Sequence, residues 1–451
     1  MKSASQHLFS NKDLRKLLIP VMVEQLLSSL MGTFDTMMVS NVGSAAISAV
    51  SLVDSINILV IQALSALAAG GAILCSQYLG SENRAEAKRS AGQVLLVMTA
   101  LSAALSAVCL LLRDPMLRLI FGQVDADVMA NSRIYFLFTL LSFPFIGLYD
   151  AGASIFRAQN NTRTPMVISV ISNLLNIAGN AVLIFGFDMG VAGAAIATLI
   201  SRIFCAVTVL WQLRNPLQPI SVRHYLKIRP DFSLIRRVLF IGIPSGIENS
   251  MFQFGKLAIQ STVSTLGTAA IAAQAMTSIL ESLNGIAAMG VGIGLMTVVG
   301  QCIGANRKDE AVYYIKKLSW LAEAVIIVCC LAVLAVTKPI TVIGGMEPES
   351  ARLCFQMVVF ITVTKPVSWV LSFIPAYGMR AAGDVKFSMI TSCLSMWLCR
   401  VSLCVFLCRV FGFGPIAVWI GMFADWSVRA IVFFWRFHSR KWLEHHVISA
   451  P

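Results

Sequence analysis

Charge is what this chain has least of. Only 13% of its 451 residues are Asp, Glu, Lys or Arg, against 57% hydrophobic. An average globular chain carries roughly a quarter charged residues, so an ordinary water-soluble fold is excluded. Histidine is scarce too: there are five, and His445-His446 sit on a charged tail. The eleven cysteines are scattered, form no CxxC pair and lie mostly inside apolar runs. There they read as small hydrophobes rather than as disulfide or zinc ligands. Glycine-rich phosphate loops, nucleophile motifs and metal-ligand constellations are absent. So is the Asp-x-x-x-Asp cluster with which a membrane-embedded transferase would hold Mg²⁺ and a diphosphate. The basic but polar N-terminus has no small-residue cleavage site and is not expected to be a removable signal peptide.

Long hydrophobic runs fill the chain instead. Twelve helices are expected, near 14–40, 48–79, 90–113, 129–157, 163–186, 190–213, 233–266, 270–302, 313–336, 350–379, 385–410 and 414–437. Several exceed the roughly 20 residues needed to cross a bilayer, which calls for tilt or extension. The net charge of +13 would suit nucleic acid, but its placement does not. With the N-terminus inside, segments on that side hold 24 Lys and Arg, and those on the other hold six. This asymmetry gives a multi-pass protein of a cell (plasma or inner) membrane with both termini cytoplasmic. Membrane lipid is its partner, nucleic acid is not, and a monomer is expected.

The chain also repeats itself. Ile19-Pro20 with Glu24 recurs as Ile243-Pro244 with Glu248, and Gln77, Gly80, Glu86 and Ala87 recur as Gln301, Gly304, Glu310 and Ala311, always at one constant interval. The fold class is therefore all-α: twelve transmembrane helices in two pseudo-symmetric six-helix bundles. The expected lobes are 1–213 and 233–451, joined by a basic, proline-bearing cytoplasmic connector, 214–232. Duplicated bundles make transporters, because sites form where repeats meet.

Ionisable groups within a membrane are costly and so become functional candidates. Asp35 lies about two turns from the outer end of helix 1. Asn173, Asn176 and Asn180 share one face of helix 5, and Thr198 reaches the same level from helix 6. Asp35, Asn176, Asn180 and Thr198 can thus meet, and Asp54 on helix 2 can join as a second acid. A carboxylate among amide and hydroxyl oxygens suits a proton or a small hard cation such as Na⁺. The asparagines could equally bond across helices as polar glue. Asp35 has no acidic twin, since the repeat interval carries it onto Ile259, so this site belongs to one lobe. Glu24 follows the helix-bending Pro20 and shares a face with Asp35. It either belongs to a proton route or satisfies backbone groups that Pro20 frees. In the second lobe Lys256 matches Glu281 in depth, and Arg400 matches Asp425, as internal ion pairs would. Glu248, Gln274, Glu281, Asn284 and Lys256 are the candidate substrate-cavity residues, with the acids suited to a cation.

Several runs carry a family likeness: Ile19-Pro20 with Asp35-Thr36-Met37-Met38-Val39, Ser76-Gln77-Tyr78-Leu79-Gly80, and Phe156-Arg157-Ala158-Gln159-Asn160-Asn161-Thr162-Arg163-Thr164-Pro165-Met166. To these add Asn176-x3-Asn180, Gly193-Ala194-Ala195-Ile196-Ala197-Thr198, Val299-Gly300-Gln301 and Met379-Arg380-Ala381-Ala382-Gly383-Asp384. Together they resemble the multidrug and toxic compound extrusion family over nearly the whole chain. The resemblance implies two six-helix lobes around a V-shaped cavity, no cofactor, and a rocking exporter of drugs and other small amphipathic or cationic compounds. It also implies that Asp35 and its helix 5 and 6 partners bind the coupling H⁺ or Na⁺, with helix 1 bending near Pro20. Two departures matter. Many relatives have Asp where Asn180 stands. The NorM-type branch has a coupling Glu and Asp where this chain has Phe252 and, near the second position, Trp369. The first-lobe site therefore resembles the DinF-type branch more. A polysaccharide or lipid-precursor flippase of the same superfamily is the alternative reading, and a membrane transferase the disfavoured one.

Overall fold

The structure, a computed structural model, describes residues 7–122, 124–445 and 447–448, and the backbone alone for residues 31–36. Among these residues every regular element is helical. Backbone amides in lipid have no water to bond, so a spanning segment must satisfy them internally. The elements are α1 (Asn11–Ser40), α2 (Ser44–Gly80), α3 (Arg84–Leu111), α4 (Arg113–Phe121), α5 (Ala126–Ala158), α6 (Arg163–Asn180) and α7 (Gly190–Leu213). They continue with α8 (Phe232–Val263), α9 (Thr268–Gly304), α10 (Lys308–Ile343), α11 (Pro348–Ala382), α12 (Val385–Ser395), α13 (Ser402–Val410) and α14 (Ile416–His438).

Two rods are interrupted by a wider helical turn. Ala181–Gly186 extends α6, and Met396–Val401 joins α12 to α13, both as π-helix. Counting each interrupted rod once and setting aside the nine-residue α4 leaves twelve long helices among the described residues. Ten are long and apolar enough to cross a membrane; α1 and α8, at 30 and 32 residues, are comparable in length. Only α4 falls outside the expected pattern. Starts are set by local chemistry. Ser10 Oγ accepts from the Asp13 amide (3.2 Å) while Asp13 Oδ2 accepts from the Ser10 amide (3.0 Å), a reciprocal cap on α1. Ser10 Oγ also donates to Asp13 Oδ2 (2.6 Å), and that bond, with the one from the Ser10 amide, holds the exposed Asp13 carboxyl below its ordinary range. Asn83 Oδ1 caps α3 by accepting from the Glu86 amide at 3.1 Å.

The chain divides into two compact units, Leu26–Gly246 on one hand and Met1–Gln25 with Ile247–Pro451 on the other. The first turns of α1 therefore pack with the later helices, and the first half of α8 packs with the earlier ones. In one unit α5 is central, against α2, α3 and α7; in the other α11 holds the same place against α9, α10 and α14. The two helix exchanges are alike in detail. A Cβ on Gly70 of α2 would stand 2.8 Å from the Gly242 amide nitrogen of α8. A Cβ on Gly294 of α9 would stand 2.4 Å from Leu18 of α1. Gly70 and Gly294, like Leu18 and Gly242, are separated by the same interval as Pro20 and Pro244, so one close crossing is built twice. The connector is tied to its own unit through Gln93, which donates to the Arg229 carbonyl (2.8 Å) and accepts from the Asp231 amide (3.0 Å). Arg89 pairs with Asp231 at 2.5 Å.

Candidate functional site

In the Leu26–Gly246 unit a polar string runs through the apolar interior. Asn180 Nδ2 donates to Asn176 Oδ1 (3.2 Å), Asn176 Nδ2 donates to Thr198 Oγ1 (3.2 Å), and Thr198 Oγ1 donates to the Ala194 carbonyl (3.0 Å). Asn176 and Asn180 are 0% and 1% exposed. Their four-residue spacing puts both side chains on one face of α6, and Thr198 meets them from α7. Asn173 is half-buried and lies off this string. Asn180 lies where α6 widens into its π turn at Ala181, a distortion common at functional sites. Asp35 lies on the half of α1 that belongs to this unit, but its side chain is outside the described residues.

Asp54 stands on α2 in the same unit. Its carboxylate accepts from Asn57 Nδ2 and from the Tyr135 hydroxyl, each at 3.2 Å. The Arg202 guanidinium acts on it electrostatically and donates to Ser142 Oγ at 2.5 Å. Asp54 thus belongs to a second polar group anchored on α5. Tyr135 was not expected as its partner, and nothing in the local sequence marks it.

The other unit holds more buried charge. Glu24 is 3% exposed, and α1 runs on as helix through Pro20. Glu248, its twin after Pro244, is 2% exposed and pairs with Arg380 at 2.6 Å. Arg380 also donates to Ser388 Oγ at 3.0 Å. Deeper in, the Lys365 ammonium is fully enclosed. It donates to Glu281 Oε1 (2.6 Å), to the Glu281 carbonyl (3.1 Å) and to Asn284 Oδ1. A Cβ on Gly285 would stand 2.8 Å from that nitrogen, so a larger residue there would displace the ammonium from this seat. The expected Arg400–Asp425 pair is present at 2.5 Å. Asp425 also accepts from Ser395 Oγ (2.5 Å) and lies 4.0 Å from Arg429.

Glu281 pairs with Lys365, and among the described residues Lys256 makes no hydrogen bond or ion pair of its own. Lys256, Gln274, Ser278, Glu281, Arg400 and Trp419 contribute to the lining of a cavity of about 400 Å³ near the α8–α9 turn. Trp419 Nε1 donates to Gln274 Oε1 at 3.0 Å, and Gln274 Nε2 donates to Ser278 at 3.3 Å. Of the five residues expected to form a substrate cavity, Lys256, Gln274 and Glu281 line this one. Asn284 lies behind it against Lys365, and Glu248 is held by Arg380. Both carboxylates suited to a cationic substrate are thus already bonded to bases. Among the described residues no group of three or more His, Cys, Asp or Glu could hold a metal ion, and none of the eleven cysteines is in a disulfide.

Comparison with known proteins adds family membership. The MatE family profile matches residues 20–182 and again 244–406, two segments offset by the same interval as the internal repeat. The chain is 26% identical over 431 residues to the "Uncharacterized transporter YisQ" of Bacillus subtilis, covering 94% of this chain and 93% of that protein. It is 26% identical over 443 residues to the "Probable multidrug resistance protein NorM" of Thermotoga maritima, covering 97% and 94%. Its fold superposes with a TM-score of 0.85, at 20% identity and 95% and 96% coverage, on a structure described as the outward-facing conformation of a multidrug resistance MATE family transporter of the MOP superfamily. With the profile matched twice and most of the chain covered, the protein belongs to the MatE family, and it is a transmembrane transporter rather than an enzyme.

Proposed function

We propose that the chain is a secondary-active exporter of small amphipathic organic compounds, driven by inward H⁺ or Na⁺ through alternating access of its two halves. The multidrug-resistance names of its relatives support the substrate class, and the asymmetry of Lys and Arg supports a membrane placement with both termini cytoplasmic. The observation that carries ion coupling is the buried Asn180–Asn176–Thr198 string beside the π turn of α6. It supplies amide and hydroxyl oxygens in a largely buried site, and the expected Asp35 on α1 would be the carboxylate that completes it. Asp54, with Tyr135 and Asn57, serves as a second acid in the same unit. One elementary charge crossing the membrane supplies about 2.3 kcal/mol per 100 mV, enough for one ion to drive a useful substrate gradient. With Phe252 and, near the second position, Trp369 where the NorM-type branch has its coupling acids, this site is closer to the DinF-type than to the NorM-type pattern. Pro20 gives α1 a weak point one turn before Glu24, so a bend there would move Glu24 and Asp35 together.

The test is dye efflux from liposomes containing the purified protein, with ethidium as a cationic probe and carboxyfluorescein as an anionic one. A pH gradient and a Na⁺ gradient are imposed separately. Gradient-driven efflux of either dye that is lost in Asp35→Asn is the expected result, and the effective gradient names the ion. Efflux unchanged in Asp35→Asn would remove Asp35 from the coupling step; no efflux under either gradient would overturn the exporter reading.

A further inference from the structure

The cavity near the α8–α9 turn carries more positive charge than its acids can balance. Four cations, Lys256, Lys365, Arg400 and Arg429, share two carboxylates, Glu281 and Asp425. Glu281 is committed to Lys365, which is enclosed behind the cavity wall. Asp425 is divided between two guanidiniums and Ser395. Lys256 therefore stands over the cavity with no hydrogen bond or ion pair among the described residues, and Glu281, already bonded to Lys365, acts on it only electrostatically. Arg400, 3% exposed and on the cavity wall, keeps its Nε without a hydrogen bond. Behind them Arg429 is fully buried and has no hydrogen bond from any of its three nitrogens; its neighbours are the Phe252 and Phe373 rings, 5.0 and 4.3 Å away.

Buried cations persist where an anion or a function compensates them. We infer that this cavity binds the anionic group, a carboxylate or a phosphate, of an amphipathic substrate, with Lys256 as its direct partner and the Arg400 guanidinium behind it. This rests on the exporter reading above for the word substrate, though the binding itself does not. The remaining wall fits the organic part of such a molecule: the Trp419 indole offers an aromatic face, and its own donor is taken by Gln274. A volume of about 400 Å³ lies within the roughly 300–1,000 Å³ usual for small-molecule sites. Specificity then follows from sign. A simple cation meets Lys256 and Arg400 with both nearby carboxylates already held, whereas a molecule with an anionic head and an apolar body satisfies both ends.

The test compares rhodamine B, whose carboxylate is free, with its ethyl ester, which lacks that negative charge on the same scaffold. Binding to the full chain in neutral detergent is read by fluorescence anisotropy against protein-free micelles. It needs no gradient, so it stands apart from transport; binding without efflux would sink the exporter reading and leave this one intact. The free acid is expected to bind roughly tenfold or more tightly than the ester, the scale of one charge-assisted hydrogen bond. Lys256→Gln should erase most of that preference, Lys256→Glu should reverse it, and Lys256→Arg should keep it. Lys256 is exposed, so these variants are expected to fold, which an unchanged thermal midpoint would verify. Equal or tighter binding of the ester overturns the inference, as does a preference indifferent to Lys256. Displacement of the dye by equimolar phosphatidylglycerol would reassign the cations to a lipid headgroup and overturn the substrate reading.

Discussion

Asp425 is the residue whose loss should be felt most. It is 0% exposed, and its carboxylate pairs with Arg400 at 2.5 Å and accepts from Ser395 at 2.5 Å, with Arg429 at 4.0 Å. Asp425→Asn keeps the volume and one acceptor but leaves two buried guanidiniums uncompensated. Removing one partner of a buried pair costs about 3–5 kcal/mol. At about 2–4 °C per kcal/mol for a unit of some 200 residues, the apparent melting midpoint in detergent should fall by on the order of 10 °C. Two comparisons isolate the cause. Asp309→Asn breaks the Arg440–Asp309 contact of 3.2 Å, whose side chains are 60% and 91% exposed, and should leave the midpoint unmoved, because water already screens that pair. Arg400→Met combined with Asp425→Asn removes a cation with the acid and should cost less than the sum of the two single changes. A midpoint within about 2 °C of wild type in Asp425→Asn would refute the reasoning, since Arg400 and Arg429 would then be compensated by something other than this carboxylate.

Other changes have definite expected outcomes. Gly70→Ala puts a Cβ 2.8 Å from the Gly242 amide nitrogen and should destabilise by about 1–3 kcal/mol, whereas Gly246→Ala, whose nearest neighbour is the Ala63 carbonyl at 3.7 Å, should be neutral; thermal midpoints in detergent compare the two. Asn176→Ala removes both the bond to Thr198 and the bond from Asn180, and should abolish gradient-driven efflux while leaving equilibrium binding of rhodamine B intact; loss of both would place the two functions on one site. Asn83→Ala deletes the α3 cap, costs roughly 1 kcal/mol locally, and should speed amide exchange at Glu86 without slowing transport.

What the sequence discloses depends on whether the physics is local. The twelve helices are legible because each is a long apolar run, and the repeat because identical residues recur at a fixed interval that the family profile reproduces. Helix α4 is hidden because nine residues with an Arg-Asp-Pro start carry no membrane-length signal. The π turns after Asn180 and Ser395 carry no residue signature that sets them apart from the helices they interrupt. The Asn176–Asn180–Thr198 string is legible because helical spacing fixes the face and helix direction fixes the depth. The same method matches Lys256 with Glu281 by depth, yet depth names a level and not a neighbour. Glu281 bonds Lys365 because Gly285, one turn along α9, leaves room for the α11 ammonium. That choice turns the meaning of the cavity around: the candidate residues include two acids suited to a cation, but Glu248 is held by Arg380 away from the cavity and Glu281 by Lys365, and what the cavity wall then presents is Lys256 with the Arg400 guanidinium.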